Sequence, residues 1–393
     1  MMRSFFMTYS RFFLLLLIGP AAMVAQPADS LGPHFGTALQ SLKQHFCPDR
    51  RVAVFDISWT QTDSSFVVRG EVDKVGARDS VIATARQYAT TSVTDSIVVL
   101  PHPSLGEKTF GIVVLSAANV RTRPGESEEL ATQVTMGLVV KVLKKGPGYY
   151  YVQSHDEYLG WLNGGAFQAA DRAGVDAWAA ARKVVVTSYF DVIREKPSNT
   201  AMPVCDVVIG NILKSGRARG SWREVELADG RSGFLRTQSL QDYDTWRQTR
   251  HLTGDNVERT AKMFMGVPYL WGGTSSKGMD CSGFTKTVFR LNGLELTRDA
   301  SQQVLMGHDV DAGKDFENLQ KGDLLFFGRS ASEDRPERIV HVAIYLKDRM
   351  FIHSSGRVRV SSFDPASSLY DEHELKRFVR ARRVIPEQTV PEK

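Results

Sequence analysis

Arg121 and Pro124 in the stretch NVRTRP recur 73 residues later as Arg194 and Pro197 in VIREKP. At the same offset Val134 matches Val207, Gly137 matches Gly210, Lys141 matches Lys214, Tyr149 matches Trp222, Val152 matches Val225, Gly160 matches Gly233 and Trp161 matches Phe234. One ungapped register held over that distance marks a duplicated structural unit. Each copy is a string of short strands with glycine turns that closes on a Gly-aromatic-aliphatic triplet, the pattern of a small β-barrel. The middle of the chain is therefore expected to hold two like barrels, at 105–170 and 184–242.

Ahead of the repeat, residues 31–46 have helical spacing, 52–59 and 66–72 alternate as strands do, 79–88 again look helical and 97–100 read as a strand. These make a small mixed α/β domain, 26–104, ended by Pro101-His102-Pro103. No chemistry is legible in it.

The chain opens with Arg3 and Arg11, no acid, the apolar run 12–18 and a Gly19-Pro20 break before small residues. That order is expected of a secretory signal peptide over 1–25, and the run is shorter than the ~20 residues a membrane span takes. The remainder is then exported, to the periplasm, the cell envelope or the medium. Removing residues 1–25 takes away two arginines and no acid, so a formal charge of +5 becomes +3. So mild an excess, spread along the chain, argues against nucleic acid as a partner and tolerates an anionic cell wall.

Three cysteines, Cys47, Cys205 and Cys281, are an odd number for an exported chain. Cys47 and Cys205 either pair or stay as two buried thiols, and Cys281 is the one left over. The nine histidines are scattered, and neither His-Glu-x-x-His nor Cys-x-x-Cys occurs, so no metal is expected.

From about residue 255 the pattern changes to a helix at 256–265, the Gly-rich GVPYLWGG, a second helix from Cys281, and strands at 323–327, 340–346 and 350–354. Helices followed by a meander of strands predict an α+β domain, 255–385. After Cys281 the apolar residues Phe284, Val288 and Leu291 share one helical face, with Asn292-Gly293 as a stop. Cys281 thus falls in the first turn, where unpaired N–H groups and the helix dipole favour a thiolate, behind an Asp280 cap.

His341 and His353 are the candidate bases. A hairpin turning through Lys347-Asp348-Arg349 sets Leu346 opposite Met350 and Ala343 opposite His353. His341 then becomes the diagonal same-face neighbour of His353, near enough for one imidazole to orient the other.

Taken in order, PYLWGGTSSKGMDCSGFTKTVF, Arg298-Asp299-Ala300-Ser301-Gln302, KGDLLFF, HVAIYL and FIHSSG resemble the NlpC-type cell-wall cysteine peptidases. The two barrels resemble bacterial SH3-like domains. The whole order is similar to the γ-D-glutamyl-L-diamino-acid endopeptidases of that family. The resemblance implies a papain-like catalytic domain in which Cys281 is the nucleophile, His341 the base and His353 the orienting residue. It implies a monomeric enzyme that needs no cofactor and acts on peptidoglycan peptides, cutting after γ-D-glutamate.

Tyr269, Trp271, Asp280 and Ser282 are expected to line the substrate groove. In the resembled subgroup an acid and a tyrosine of the first barrel hold the substrate's α-ammonium. Here the acids are Glu126, Glu128 and Glu129 of GESEEL, any of which can point inward and of which Glu128 is the one preferred, and the tyrosine is Tyr158. The charged segment 329–338 departs from the family pattern and reads as a solvated loop, with a part in specificity if it borders the cleft. The alternatives are a cell-wall amidase of the same fold and a wall-binding protein without activity.

Overall fold

The computed structural model describes residues 32–386; the signal-peptide reading of 1–25 lies outside the described residues. Helix Gly32–Phe46 and helix Val75–Tyr88 pack on a three-stranded sheet. Phe55–Gln61 pairs antiparallel with Phe66–Val72, which pairs in parallel with Val93–Val99. A parallel pair needs a crossover, and the second helix supplies it. Phe35, Phe66, Val68 and Val81 close its core with almost no exposure. The expected strand at 52–59 starts later, because residues 49–53 are used in a turn around Asp49.

Two seven-stranded sheets follow. In the first, the strand order is Phe167–Ala170, Phe110–Val113, Val139–Lys145, Tyr149–Gln153, Leu159–Asn163, Ala117–Arg121, Leu130–Thr135. In the second, every strand begins 73 residues after its counterpart, from Lys183–Val186 to Leu240–Asp242, and the order is the same. The repeat read from the sequence is a repeat of topology.

Gly137 and Gly210, one such pair, both have φ near +85° (85° and 84°), a conformation glycine adopts without strain. A Cβ on Gly137 would lie 2.3 Å from the carbonyl oxygen of Ile212, and one on Gly210 would lie 2.9 Å from Nη2 of Arg290. The same bare turn thus lets each barrel dock closely on the unit that follows.

The last unit is a six-stranded antiparallel sheet with helices Gly254–Lys262 and Cys281–Leu291 against it. Its strands run in the order His308–Val310, Phe378–Arg383, Leu324–Arg329, Arg338–Lys347, Met350–Ser355, Arg357–Ser362. Strands His308–Val310, Arg357–Ser362 and Phe378–Arg383 add to those expected from the sequence.

The hairpin is tighter than its sequence suggests. Asp348 and Arg349 alone form the turn, both at positive φ, with Lys347 opposite Met350 and an irregularity at Leu346. That bulge returns the pairing to Ile344 opposite Ile352, so the histidine register holds beyond it.

All eleven residues of helix Cys281–Leu291 are buried, its polar face included. The first barrel covers that face, where Asp156 sits 3.3 Å from Nζ of Lys286 and balances its charge away from water. Among the described residues no helix is long and apolar enough to cross a membrane. Cys47, Cys205 and Cys281 are all free thiols.

Candidate active site

Asp280 caps the helix by accepting from the N–H of Gly283 at 2.7 Å, which fixes Cys281 as the first helical residue. Its carboxylate also accepts from the N–H of Gly272 and forms a buried pair with Arg298 at 2.5 Å. Arg298 donates further to the Ser282 hydroxyl at 3.0 Å and to Thr132 of the first barrel at 3.1 Å. Asp280 and Ser282 line the cavity as expected, but their polar groups already belong to this network. They hold the cleft in shape.

The sequence suggests a thiolate stabilised by the helix start; in the structure, burial outweighs it. Burial first and the Asp280 charge second push the Cys281 thiol up to about 12, against opposing hydrogen bonds from the N–H groups of Val342 and Ser282. Val342 is the residue after His341, so that strand lies against the sulfur.

Burial likewise lowers His341 to about 4 and His353 to about 2. The thiol and both imidazoles are therefore neutral in the resting site.

The hydrogen bonds fix which nitrogens carry protons. Asp371 accepts from Arg359 at 3.0 Å and from the Ser361 hydroxyl at 3.2 Å. Ser361, donating there, accepts from Nε2 of His353 at 3.1 Å. Nδ1 of His353 is then bare and accepts from Nε2 of His341 at 2.9 Å. Nδ1 of His341 is left as an unprotonated acceptor.

Ser361 and Asp371 had no sequence signal, because both depend on the edge strand Arg357–Ser362 and the turn after it. Glu374 is buried nearby, pushed up by burial, and its ligand atom lies within 4.8 Å of those of the two histidines. Binding a metal there would break the hydrogen bond between the imidazoles.

A cavity of about 330 Å³ opens over Cys281. Tyr269 and Trp271 line it from the peptidase side, Tyr158 and Glu129 from the first barrel, and Arg51 from the N-terminal unit. The Tyr158 hydroxyl donates to Oδ2 of Asp299 at 3.0 Å, and the Trp271 indole donates to Glu129 at 2.8 Å.

Glu128, the acid expected to point inward, does not line the cavity: its carboxylate pairs with Arg123 at 2.8 Å on the outside. Its neighbour Glu129, just ahead of the strand Leu130–Thr135, lines the cavity instead. Asp299, quoted only as part of a motif above, is a second cleft carboxylate. The charged loop ends at the cleft, with Arg338 on its rim.

Trp271 is 64% exposed, so Trp271→Ala is expected to leave the melting temperature within about a degree while lowering kcat/KM about tenfold or more. A melt falling by several degrees together with activity would make it a packing residue instead.

A pH profile tests the neutral site. His341, lowered by burial, stays in its base form down to about 4, so the acid limb of kcat/KM is expected there and not near the ordinary imidazole value of ~6.5. A limb between 6 and 7, with the fold intact by circular dichroism, contradicts the buried neutral base.

The profile of the NlpC/P60 family matches residues 266–383, and that described as "Bacterial dipeptidyl-peptidase Sh3 domain" matches 120–166. "Dipeptidyl-peptidase 6" of Lysinibacillus sphaericus is 29% identical over 272 residues, covering 66% of this chain and 93% of that protein. "Gamma-D-glutamyl-L-lysine dipeptidyl-peptidase" of Bacillus cereus is 35% identical over 162 residues, 41% of this chain and 46% of that protein. The crystal structure of an NlpC/P60 family protein from Bacillus cereus superposes with a TM-score of 0.60 at 25% identity, over 70% of this chain and all of the other.

Proposed function

Since the chain belongs to the NlpC/P60 family and is a cysteine peptidase of the murein-cleaving kind, we propose that it is exported and hydrolyses the bond between γ-D-glutamate and a diamino acid in murein peptides with a free N-terminal L-alanine. The observation that carries this reading is that Glu129, Asp299 and Tyr158 line the same pocket as Cys281, with the Tyr158 hydroxyl on Asp299. Carboxylates in a half-buried pocket ask for a cation, and an α-ammonium fits the demand.

In this mechanism the lone pair on Nδ1 of His341 takes the thiol proton as sulfur attacks the γ-carbonyl. The proton then passes to the leaving amine as the C–N bond breaks, and water releases the dipeptide from sulfur by the reverse steps. His353, held by Ser361, keeps the base in the required tautomer. The negative charge on the carbonyl oxygen is met by the backbone N–H of Cys281 at the helix start and by the Tyr269 hydroxyl, which has no hydrogen-bond partner among the described residues.

Export is supported by the signal-like pattern of residues 1–25. Mass spectrometry of L-Ala-γ-D-Glu-meso-diaminopimelate incubated with wild type and Cys281→Ala tests the function: release of L-Ala-D-Glu by wild type alone is expected. Cleavage at any other bond overturns the assignment.

A further inference from the structure

The N-terminal unit enters the cleft at one residue, and nothing in the function above assigns it a part. Arg51 sits on a turn in which its N–H donates to Oδ1 of Asp49 at 2.9 Å and its guanidinium grips the same carboxylate through Nε and Nη2 at 2.9 and 2.8 Å. That leaves Nη1, which donates to Oδ2 of Asp299 at 2.7 Å and to the Ser301 hydroxyl at 3.0 Å. Asp49 in turn accepts from Nε2 of Gln302 at 2.7 Å. The hydrogen bond from Arg51 holds the Asp49 carboxyl down at about 2, so this clamp stays charged across the working range of pH.

The backbone of the same turn is fastened to the first barrel. The N–H of Leu159 donates to the carbonyl of Arg51 at 2.8 Å, and Nε2 of Gln153 donates to the carbonyl of Val52 at 3.0 Å. Leu159 directly follows Tyr158, whose hydroxyl meets Oδ2 of Asp299, the oxygen that Arg51 also holds. Two donors from two different units, tied to each other through one backbone hydrogen bond, thus converge on one carboxylate oxygen of the peptidase unit.

We propose that Arg51 is a positioning residue for substrate specificity: it and Tyr158 fix the Asp299 carboxylate in the orientation that receives the substrate's terminal ammonium. This rests on the free-ammonium reading of the preceding section. A carboxylate held by a single hydroxyl can turn about its side-chain torsions; one held also by a guanidinium that is itself clamped cannot turn without breaking charge-assisted bonds. On this account the N-terminal unit, otherwise without chemistry, completes the recognition end of the cleft.

The test compares the tripeptide L-Ala-γ-D-Glu-meso-diaminopimelate with its propionyl analogue, which keeps the size of alanine and lacks the ammonium. For full-length Arg51→Ala, KM for the alanyl peptide is expected to rise about tenfold or more with kcat within about twofold, while kcat/KM for the propionyl peptide stays as in wild type. Arg51→Lys should recover only part of the loss, since an ammonium cannot grip Asp49 with a planar fork and reach Asp299 as well.

Equal losses on both peptides make Arg51 a structural residue and overturn the proposal, as does no change on either. If wild type itself treats the two peptides alike, the free-ammonium reading fails and takes the proposal with it. A wild type that discriminates and an Arg51→Ala whose ratio between the two peptides is undiminished sink the role of Arg51 alone.

Discussion

Cys281→Ala is expected to abolish turnover, and His341→Ala to lower it by about four orders of magnitude or more, because in the proposed mechanism one supplies the bond-forming atom and the other takes its proton. In a resting site with the thiol pushed up to about 12, no standing population of thiolate can replace the missing base. His353→Ala is expected to be the milder lesion, leaving measurable activity, since His353 makes no bond to substrate and works by keeping a proton on Nε2 of His341. Single-turnover assays on the tripeptide check all three. Cleavage persisting in Cys281→Ala refutes covalent catalysis, and a His353→Ala variant as dead as His341→Ala refutes its secondary place in the relay.

The second large effect concerns the recognition end. Tyr158→Phe combined with Glu129→Gln is expected to lower kcat/KM on the free tripeptide by about two orders of magnitude, because a buried ammonium then loses a charged partner and the carboxylate beside it loses its hydroxyl donor. The same reasoning predicts that peptides carrying muramic acid on the alanine are not cut by wild type. Equal rates on free and muramic-acid-capped peptides would return the first barrel to wall anchoring. Glu128→Gln serves as the control, since its carboxylate faces Arg123 outside the cleft and should leave the rate unchanged.

The parts legible in the sequence were those whose signal is local or periodic. The barrels showed because a duplicated strand pattern keeps its offset through every turn. The position of Cys281 in the first helical turn showed because a cap residue, an apolar face and a stop lie within a dozen residues. The pairing of His341 with His353 followed from strand period, and survived an error in the turn because the bulge at Leu346 offsets the shorter loop.

What stayed hidden depends on contacts made across units. Arg51 is one arginine among many until the fold brings it to Asp299. Glu128 and Glu129 are adjacent acids in a loop without periodicity, and only their partners, Arg123 for one and Trp271 for the other, tell them apart. The state of the thiol is hidden for a related reason: the helix dipole is visible from position, whereas the burial that opposes it comes from walls built elsewhere in the chain.

The partners that close the recognition end, Arg51 and Asp299, stand 248 positions apart, and Tyr158 and Asp299 stand 141 apart. Contacts of such long sequence separation form late, after the loop-closure entropy between them has been offset by the packing of each unit. A nascent chain therefore carries its thiol before it has a cleft. Because Arg51 and Tyr158 reach one oxygen of Asp299 only after three units have packed together, full discrimination at the recognition end is expected of the assembled chain alone, later than the formation of the thiol's own helix.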